Sequence, residues 1–191
     1  IDVRNGGIVV ESIEGNDYKI NLRTSVKAEN EDRAKICKDE ELQVIQEDNR
    51  LEISLKGRKI STSVRLGLPQ NLFYSLKLDG SNGRIVVSDL KTVKLEADTS
   101  NGGVLFKNLE GKILSANTSN GRIEMRSVLG DILRADTSNG SIYIDGKGTI
   151  FKGDTSNGSI TIKPFFVGDG EVVADTSNGR IRIGLPDDDS F

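Results

Sequence analysis

The stretch Asp136-Thr137-Ser138-Asn139-Gly140-Ser141-Ile142 recurs along the chain as a series of near-copies. Each copy can be located by its asparagine, and these are Asn82, Asn101, Asn120, Asn139, Asn157 and Asn178. Successive asparagines are 19, 19, 19, 18 and 21 residues apart. A period near 20 residues is typical of stacked repeats, in which each short unit buries its apolar face against its neighbours.

Apolar residues occupy the same places in every copy. Large apolar side chains occupy the third and fifth positions after each asparagine, as Ile123 and Met125 do after Asn120. Apolar residues also occupy the sixth and fourth positions before it, as Leu114 and Ala116 do. This alternation predicts short strands with one buried face. A further column, eight residues after the asparagine, contains Leu90, Leu109, Val128 and Phe165.

The Asn-Gly pair between the strands admits two interpretations. Because Asn-Gly tolerates a positive φ, it is a strong signal for a two-residue β-hairpin. However, identical residues recur in the same order rather than in mirror order, which favours parallel strands stacked one coil apart. The sequence therefore predicts an all-β fold, a parallel β-solenoid (a right-handed, β-helix-like stack) with about 19 residues per coil.

The repeat divides the chain into two parts. Residues 1–69 contain imperfect N-terminal coils, including Asn5-Gly6-Gly7-Ile8, together with a charged excursion at 27–41 that is either a short helix or an irregular segment. We expect this part to cap the stack, because the end coil of a solenoid exposes unpaired backbone. Residues 70–191 contain the six regular repeats, and we expect a side bulge at Pro164–Gly170, where the spacing lengthens.

Composition excludes several classes of function. The net charge is −3, with acidic and basic residues interspersed, so we expect no nucleic-acid partner. The chain contains no histidine, and its single cysteine, Cys37, has no adjacent base, so we predict no enzyme activity. No apolar run is long enough to span a bilayer, and we expect membrane attachment only through an anchor absent from this sequence, which begins at Ile1.

Two polar columns are the candidate functional features. Three residues before each asparagine stand mostly aspartates, and the candidate cation ligands are Asp98, Asp136, Asp154 and Asp175. Stacked carboxylates repel, and Ca²⁺ would relieve this repulsion. The alternative, which we favour, is that each aspartate accepts hydrogen bonds from the following Thr, Ser and backbone amides and that no cofactor is bound.

The second polar column is the Ser-Asn-Gly series. Its asparagines, Asn82, Asn101, Asn120, Asn139, Asn157 and Asn178, are predicted to form a structural amide ladder. A glycan-binding role is the alternative, but no aromatic residue is interleaved with this column to stack on a sugar ring.

The sequence resembles the bacterial family of unknown function DUF4097, whose members carry an adhesin label. The resemblance rests on Asn5-Gly6-Gly7-Ile8-Val9-Val10, the charged excursion, Gly67-Leu68-Pro69 and the tandem Thr-Ser-Asn-Gly units, and it covers nearly the whole chain. It implies a β-helix-like fold and an extracytoplasmic setting at the cell surface or envelope.

Three functions follow as hypotheses. The first is a non-enzymatic, adhesin-like interaction module, whose rigid solenoid binds an unknown protein or glycan at the cell surface. The second is an extracytoplasmic domain that senses envelope stress through a partner, with 27–41 or Phe165 and Phe166 as the contact. The third, a glycan-acting β-helix enzyme, needs a local pair of acids or a Lys or Arg base, whereas the acids here form a monotonous column.

Overall fold

The computed structural model describes residues 1–26, 42–47, 50–55 and 60–184, and every regular element within these ranges is a β-strand. No helix among them is long and apolar enough to cross a membrane. The strands are β1 Asp2–Val3, β2 Ile8–Ile13, β3 Lys19–Val26, β4 Leu42–Glu47, β5 Arg50–Leu55, β6 Ile60–Pro69, β7 Phe73–Gly80, β8 Ile85–Ser88, β9 Lys91–Thr99, β10 Val104–Lys107, β11 Glu110–Thr118, β12 Ile123–Thr137, β13 Ile142–Thr155, β14 Ile160–Thr176 and β15 Ile181–Ile183.

Equivalent residues of successive repeats pair in parallel, as the period predicts. Val104 of β10 lies beside Ile85 on one side and Ile123 on the other, each 19 residues away. The same register holds on the opposite face, where Ala116 lies between Ala97 and Ala135. The prediction of a parallel β-solenoid is therefore confirmed, and the hairpin interpretation of Asn-Gly is excluded.

Each coil contributes to two stacks of strands. The strands that follow an Asn-Gly turn form the post-turn face, which runs through β8, β10 and the first residues of β12, β13 and β14 to β15. The strands that lead into the turns form the pre-turn face, which runs through β7, β9, β11 and the last residues of β12 to β14. From β12 onward one long strand supplies both faces, so hydrogen bonding joins all the strands into a single sheet.

The core lies between the two faces and is narrow. Post-turn side chains such as Ile123 and Met125 are fully buried, and they face a column of small residues in which Ala97, Ala116 and Ala135 are also fully buried. Removing such large apolar side chains from water contributes about 1.5–3 kcal/mol each. Because every coil repeats this arrangement, the core is a continuous column rather than a globular centre.

A left-handed corner explains why the first repeats are 19 residues long. Asp89, Asn108 and Ser127 stand at equivalent places after the post-turn strand, with φ of 59°, 51° and 53°. The next coil is one residue shorter because it lacks this corner residue, and Gly146 pairs directly with Val128. A side chain on Gly146 would overlap with the Val128 carbonyl oxygen, so glycine is required by close approach there.

Because the corner residue is missing, one core position was assigned to the wrong residue in the sequence analysis. Counting from the asparagine assigns Phe165 to the column of Leu90, Leu109 and Val128, but Pro164 occupies that place, opposite Gly146. Phe165 is displaced by one residue along the strand and is 46% exposed. Leucine or valine therefore occupies this column in the first three coils, and Gly146 and Pro164 occupy it where the coil is shorter.

The lengthened repeat holds its extra residues within β14. Phe166 pairs with Gly148, but the next pairing joins Glu171 to Ile150, so the chain loops outward at Val167–Gly170. Phe166 turns inward and contacts Phe151 edge-to-face, with ring centroids 5.8 Å apart. Of the two aromatic residues expected in a side bulge, only Phe165 projects outward.

The N-terminal residues join the stack directly. β1 pairs with β7, and β2 pairs with β8 in the register of a regular coil. Beyond them, β5 and β6 extend the two faces, and the antiparallel strands β3 and β4 lie at the ends of the strand order. The boundary at residue 69 stays a prediction, and the excursion at 27–41, with Cys37, lies outside the described residues.

We predict that Ala116→Leu destabilises the protein by about 1–3 kcal/mol, because the narrow core has no room for the added carbons. The measurement is the free energy of unfolding from urea titration. Ser115→Leu is the matched control, since Ser115 is the adjacent, outward-facing residue of the same strand. Equal losses in the two variants would contradict the narrow core.

Candidate functional site

The Asn-Gly turns stack into a continuous ladder of amide side chains. The Nδ2 of each asparagine donates to the Oδ1 of the asparagine one coil earlier, at 2.8–3.0 Å, for the whole series Asn82, Asn101, Asn120, Asn139, Asn157 and Asn178. The first donor, Asn82, bonds Asn5, which is 77 residues away in sequence. The ladder therefore begins in the imperfect N-terminal coil and passes through every regular repeat.

A second ladder lies just inside the first and was missed by the sequence analysis. In the five repeats from Thr99 onward, the threonine hydroxyl before the turn donates to a glycine carbonyl in the previous coil, for example Thr118 to Gly102 at 2.8 Å and Thr155 to Gly140 at 3.0 Å. Thr118 and Thr155 are themselves buried. Each hydroxyl thus satisfies a carbonyl at the edge of the core, where an unpaired polar group costs free energy.

The turn glycines are required by close stacking rather than by a positive φ. Among the described residues, only Gly6, Gly15 and Gly168 are glycines with positive φ, so the turns of the regular repeats do not use the left-handed conformation. Instead, a Cβ at Gly121 would overlap with the carbonyl oxygen of Gly102 in the coil before it. The same overlap recurs from turn to turn along the stack.

The ladder bonds should contribute measurably to stability. We predict that Asn120→Ala lowers the free energy of unfolding by about 1 kcal/mol, because it removes one donated and one accepted hydrogen bond. Asn178→Ala should cost about half as much, since Asn178 is the last donor of the ladder. Ser119→Ala, in the same exposed turn, is the control, and a loss equal to that of Asn120→Ala would show that the ladder contributes nothing.

The aspartate column lies on the outward side of the pre-turn face. Asp98, Asn117, Asp136, Asp154 and Asp175 are successive partners in the parallel register. The first four line a shallow groove of about 390 Å³ with the neighbouring Thr and Ser residues. Asp175 continues the column one coil farther along and does not line the groove.

Side-chain partners already engage part of this column. Asn117 Nδ2 donates to Asp98 Oδ1 at 2.7 Å, and Arg134 Nε donates to Asp136 Oδ2 at 2.6 Å. The hydrogen bond to Asp136, together with its charge, raises the pKa of Arg134. Within the described ranges no group of three or more acidic or cysteine side chains is arranged to hold a metal ion.

The hydrogen bonds of the threonine hydroxyls test whether these hydroxyls donate to the aspartates of the column. Thr137 and Thr155 direct their hydroxyls to glycine carbonyls, not to the preceding carboxylates as the Asx-turn interpretation expected. Side-chain partners of the column are instead Asn117 of the next coil for Asp98 and Arg134 of the same strand for Asp136. Calcium binding at Asp98, Asp136, Asp154 and Asp175 stays a prediction.

We expect calcium to leave the melting temperature unchanged, because Arg134 and Asn117 already satisfy carboxylates of the column. The measurement is thermal unfolding with millimolar CaCl₂ and, for comparison, with NaCl at equal ionic strength. A rise in melting temperature with Ca²⁺ that disappears in Asp154→Asn would instead establish a cation site on the column.

A different polar cluster occupies the outward side of the post-turn face. Glu124 lies between two arginines, with Oε1 3.1 Å from Arg122 Nε and Oε2 2.7 Å from Arg126. Burial alone would raise the pKa of Glu124, but the hydrogen bond from Arg126 and the charges of the neighbouring arginines hold it below its usual value. The carboxylate therefore remains ionised and fixes both guanidinium groups.

Aromatic rings complete this cluster one coil farther along. Arg126 stands over the ring of Tyr143 at 5.1 Å, and Lys163 approaches the same ring at 6.0 Å. Lys147 stands over the ring of Phe165 at 5.1 Å. The Tyr143 hydroxyl is 3.3 Å from the carboxylate of Asp145, to which it donates. The sequence analysis considered Phe165 as a contact residue but overlooked the others, because none of them belongs to the repeated motif.

The comparison with protein families identifies the fold family. The Toastrack DUF4097 family profile matches residues 1–191, so the chain belongs to this family. The match confirms the resemblance to DUF4097 seen in the repeats. A search of curated proteins finds no match to this chain.

Proposed function

We propose that this member of the Toastrack DUF4097 family is a non-enzymatic interaction module of the bacterial cell envelope or cell surface. In this proposal the solenoid is a rigid scaffold that presents outward side chains to a protein or glycan partner. The module requires no cofactor. The adhesin-like role and the extracytoplasmic location also rest on the family resemblance, and attachment to the membrane would require an anchor outside this sequence.

One observation carries the proposal: the inward and turn positions repeat, whereas the outward positions of the post-turn face change from coil to coil. Ile123 and Ile142 are equivalent core residues, but their outward neighbours are Glu124 and Tyr143. In the next coil the equivalent outward residue is Thr161. A constant scaffold with variable side chains about 4.8 Å apart is suited to presenting a defined surface.

The scaffold is also suited to binding without large rearrangement. The asparagine and threonine ladders join successive coils on the turn side, and backbone hydrogen bonds join them along both faces. A backbone held in this way loses little conformational freedom when a partner binds, which favours affinity. The proposed role is therefore binding by a preorganised surface.

The experiment has two parts, carried out in cells that produce the native, full-length protein. We expect protease added outside the cytoplasmic membrane to digest this domain while a cytosolic marker survives. We also expect the purified domain to bind isolated cell envelopes saturably, with unlabelled domain competing for the same sites. Protection of the domain together with the cytosolic marker, or only non-saturable binding, would overturn the proposal.

A further inference from the structure

We propose that the post-turn face around Tyr143 and Phe165 is a binding site for an acidic glycan chain. We call this site the Tyr143 cluster and define it by Arg126, Tyr143, Lys147, Lys163 and Phe165. The inference rests on the proposed function and names the chemical class of partner. Its ligand would carry carboxylate, sulfate or phosphate groups on a sugar backbone.

The first argument is the presence of a shallow groove. Residues of four successive coils line an open space of about 650 Å³ beside the cluster, including Lys147, Lys163 and Phe165. This volume falls within the range of about 300–1,000 Å³ typical of ligand sites. Val128 and Pro164 supply apolar wall, and the backbone of Gly146 and Gly184 keeps the groove open.

The second argument is local charge. The cluster contains three cations, Arg126, Lys147 and Lys163, and the charged residues beside it are Arg122, Glu124 and Asp145. The cluster therefore carries an excess of positive charge on a chain whose net charge is −3. A local field of opposite sign to the whole molecule attracts anions to this position.

The third argument is that two of these cations contact rings and form no ion pair with a carboxylate in the part of the chain that the structure describes. Lys147 stands over Phe165, and Lys163 approaches Tyr143. An aromatic ring orients an ammonium group but does not neutralise its charge, so both lysines retain the capacity to bind an anion. Phe165, 46% exposed, adds apolar surface on which the face of a sugar ring can pack.

The chain contains an internal comparison for this arrangement. Lys91 stands over the exposed ring of Phe73 at 5.9 Å, which reproduces the Lys147 and Phe165 pair several coils away. However, Lys91 Nζ also lies 3.3 Å from a carboxylate oxygen of Glu110. The two lysines thus share an aromatic contact and differ in their acidic partner, so Lys91 is the matched control.

A glycan fits these observations better than a nucleic acid. Nucleic-acid surfaces are broad basic stripes, whereas here Glu124 and Asp145 are interspersed with the cations. The carboxylate of Asp145, oriented by the Tyr143 hydroxyl, can accept hydrogen bonds from sugar hydroxyl groups. A surface of mixed sign with exposed aromatic carbon suits a ligand that has both anions and hydroxyl groups.

The test measures binding of three probes by isothermal titration calorimetry at low salt. The probes are an oligogalacturonate, a heparin-derived octasaccharide and neutral maltohexaose. We expect one or both acidic oligosaccharides to bind, with affinity that falls as salt increases, and maltohexaose not to bind. Equal binding of the neutral probe, or no binding of either acidic probe, would overturn the inference.

The variants locate the site. Lys147→Gln combined with Lys163→Gln should weaken binding of the acidic probe about tenfold, whereas Lys91→Gln should change it less than about twofold. All three lysines are largely exposed, and unchanged melting temperatures would verify folding. Equal effects of the double variant and Lys91→Gln would show only diffuse electrostatic attraction and would overturn the site.

Two further probes separate the glycan from other anions. Phe165→Ser should weaken binding of the acidic oligosaccharide while leaving that of inorganic tripolyphosphate unchanged, because only a sugar packs on the ring. An oligothymidylate that binds as tightly as the oligosaccharides would assign the cluster to nucleic acid instead. If the double lysine variant still binds isolated envelopes like the native domain, the inference fails while the proposed function stands.

Discussion

The structure depends on the close approach of backbones at the Asn-Gly turns. Successive coils stack so tightly there that a side chain on Gly121 would overlap with the Gly102 carbonyl oxygen. With glycine in place, the Thr118 hydroxyl reaches the Gly102 carbonyl and the Asn120 amide reaches Asn101. The turn motif is therefore a set of mutually dependent contacts, in which glycine provides the space and threonine and asparagine supply the bonds between coils.

Tight stacking at the turns fixes the rest of the coil. Once the turns are in register, strands such as β10 and β12 pair residue for residue, and identical side chains lie above one another. Large residues of the post-turn face then meet the alanine column of the pre-turn face, so the core stays narrow along the stack. The antiparallel strands β3 and β4 end the two faces on the N-terminal side.

The period predicted the fold because, in a parallel stack, equivalent residues occupy equivalent environments. Assigning core positions by a constant distance from the asparagine failed at Phe165. The coil there lacks the left-handed corner residue, so the next residues of the strand lie one position nearer the asparagine. The threonine bonds could not be predicted, since each acceptor is a backbone carbonyl in another coil and carries no sequence signature. Of the Tyr143 cluster, the sequence analysis considered only Phe165. The other residues were overlooked for the opposite reason, because each stands at a variable outward position and is not part of the repeated motif.

Functional specificity in a repeat of this kind has to come from the places where coils differ. A perfect solenoid presents the same groups at every step and would bind any partner in several equivalent registers. Here the coil after Asn139 has lost a corner residue, and the coil after Asn157 has gained the loop at Val167–Gly170. The exposed Phe165 and the groove beside Lys147 and Lys163 lie at these two irregular coils. The irregular coils thus distinguish one region of the variable post-turn face from its regular coils, and a distinct region of this kind would fix a bound partner in a single register.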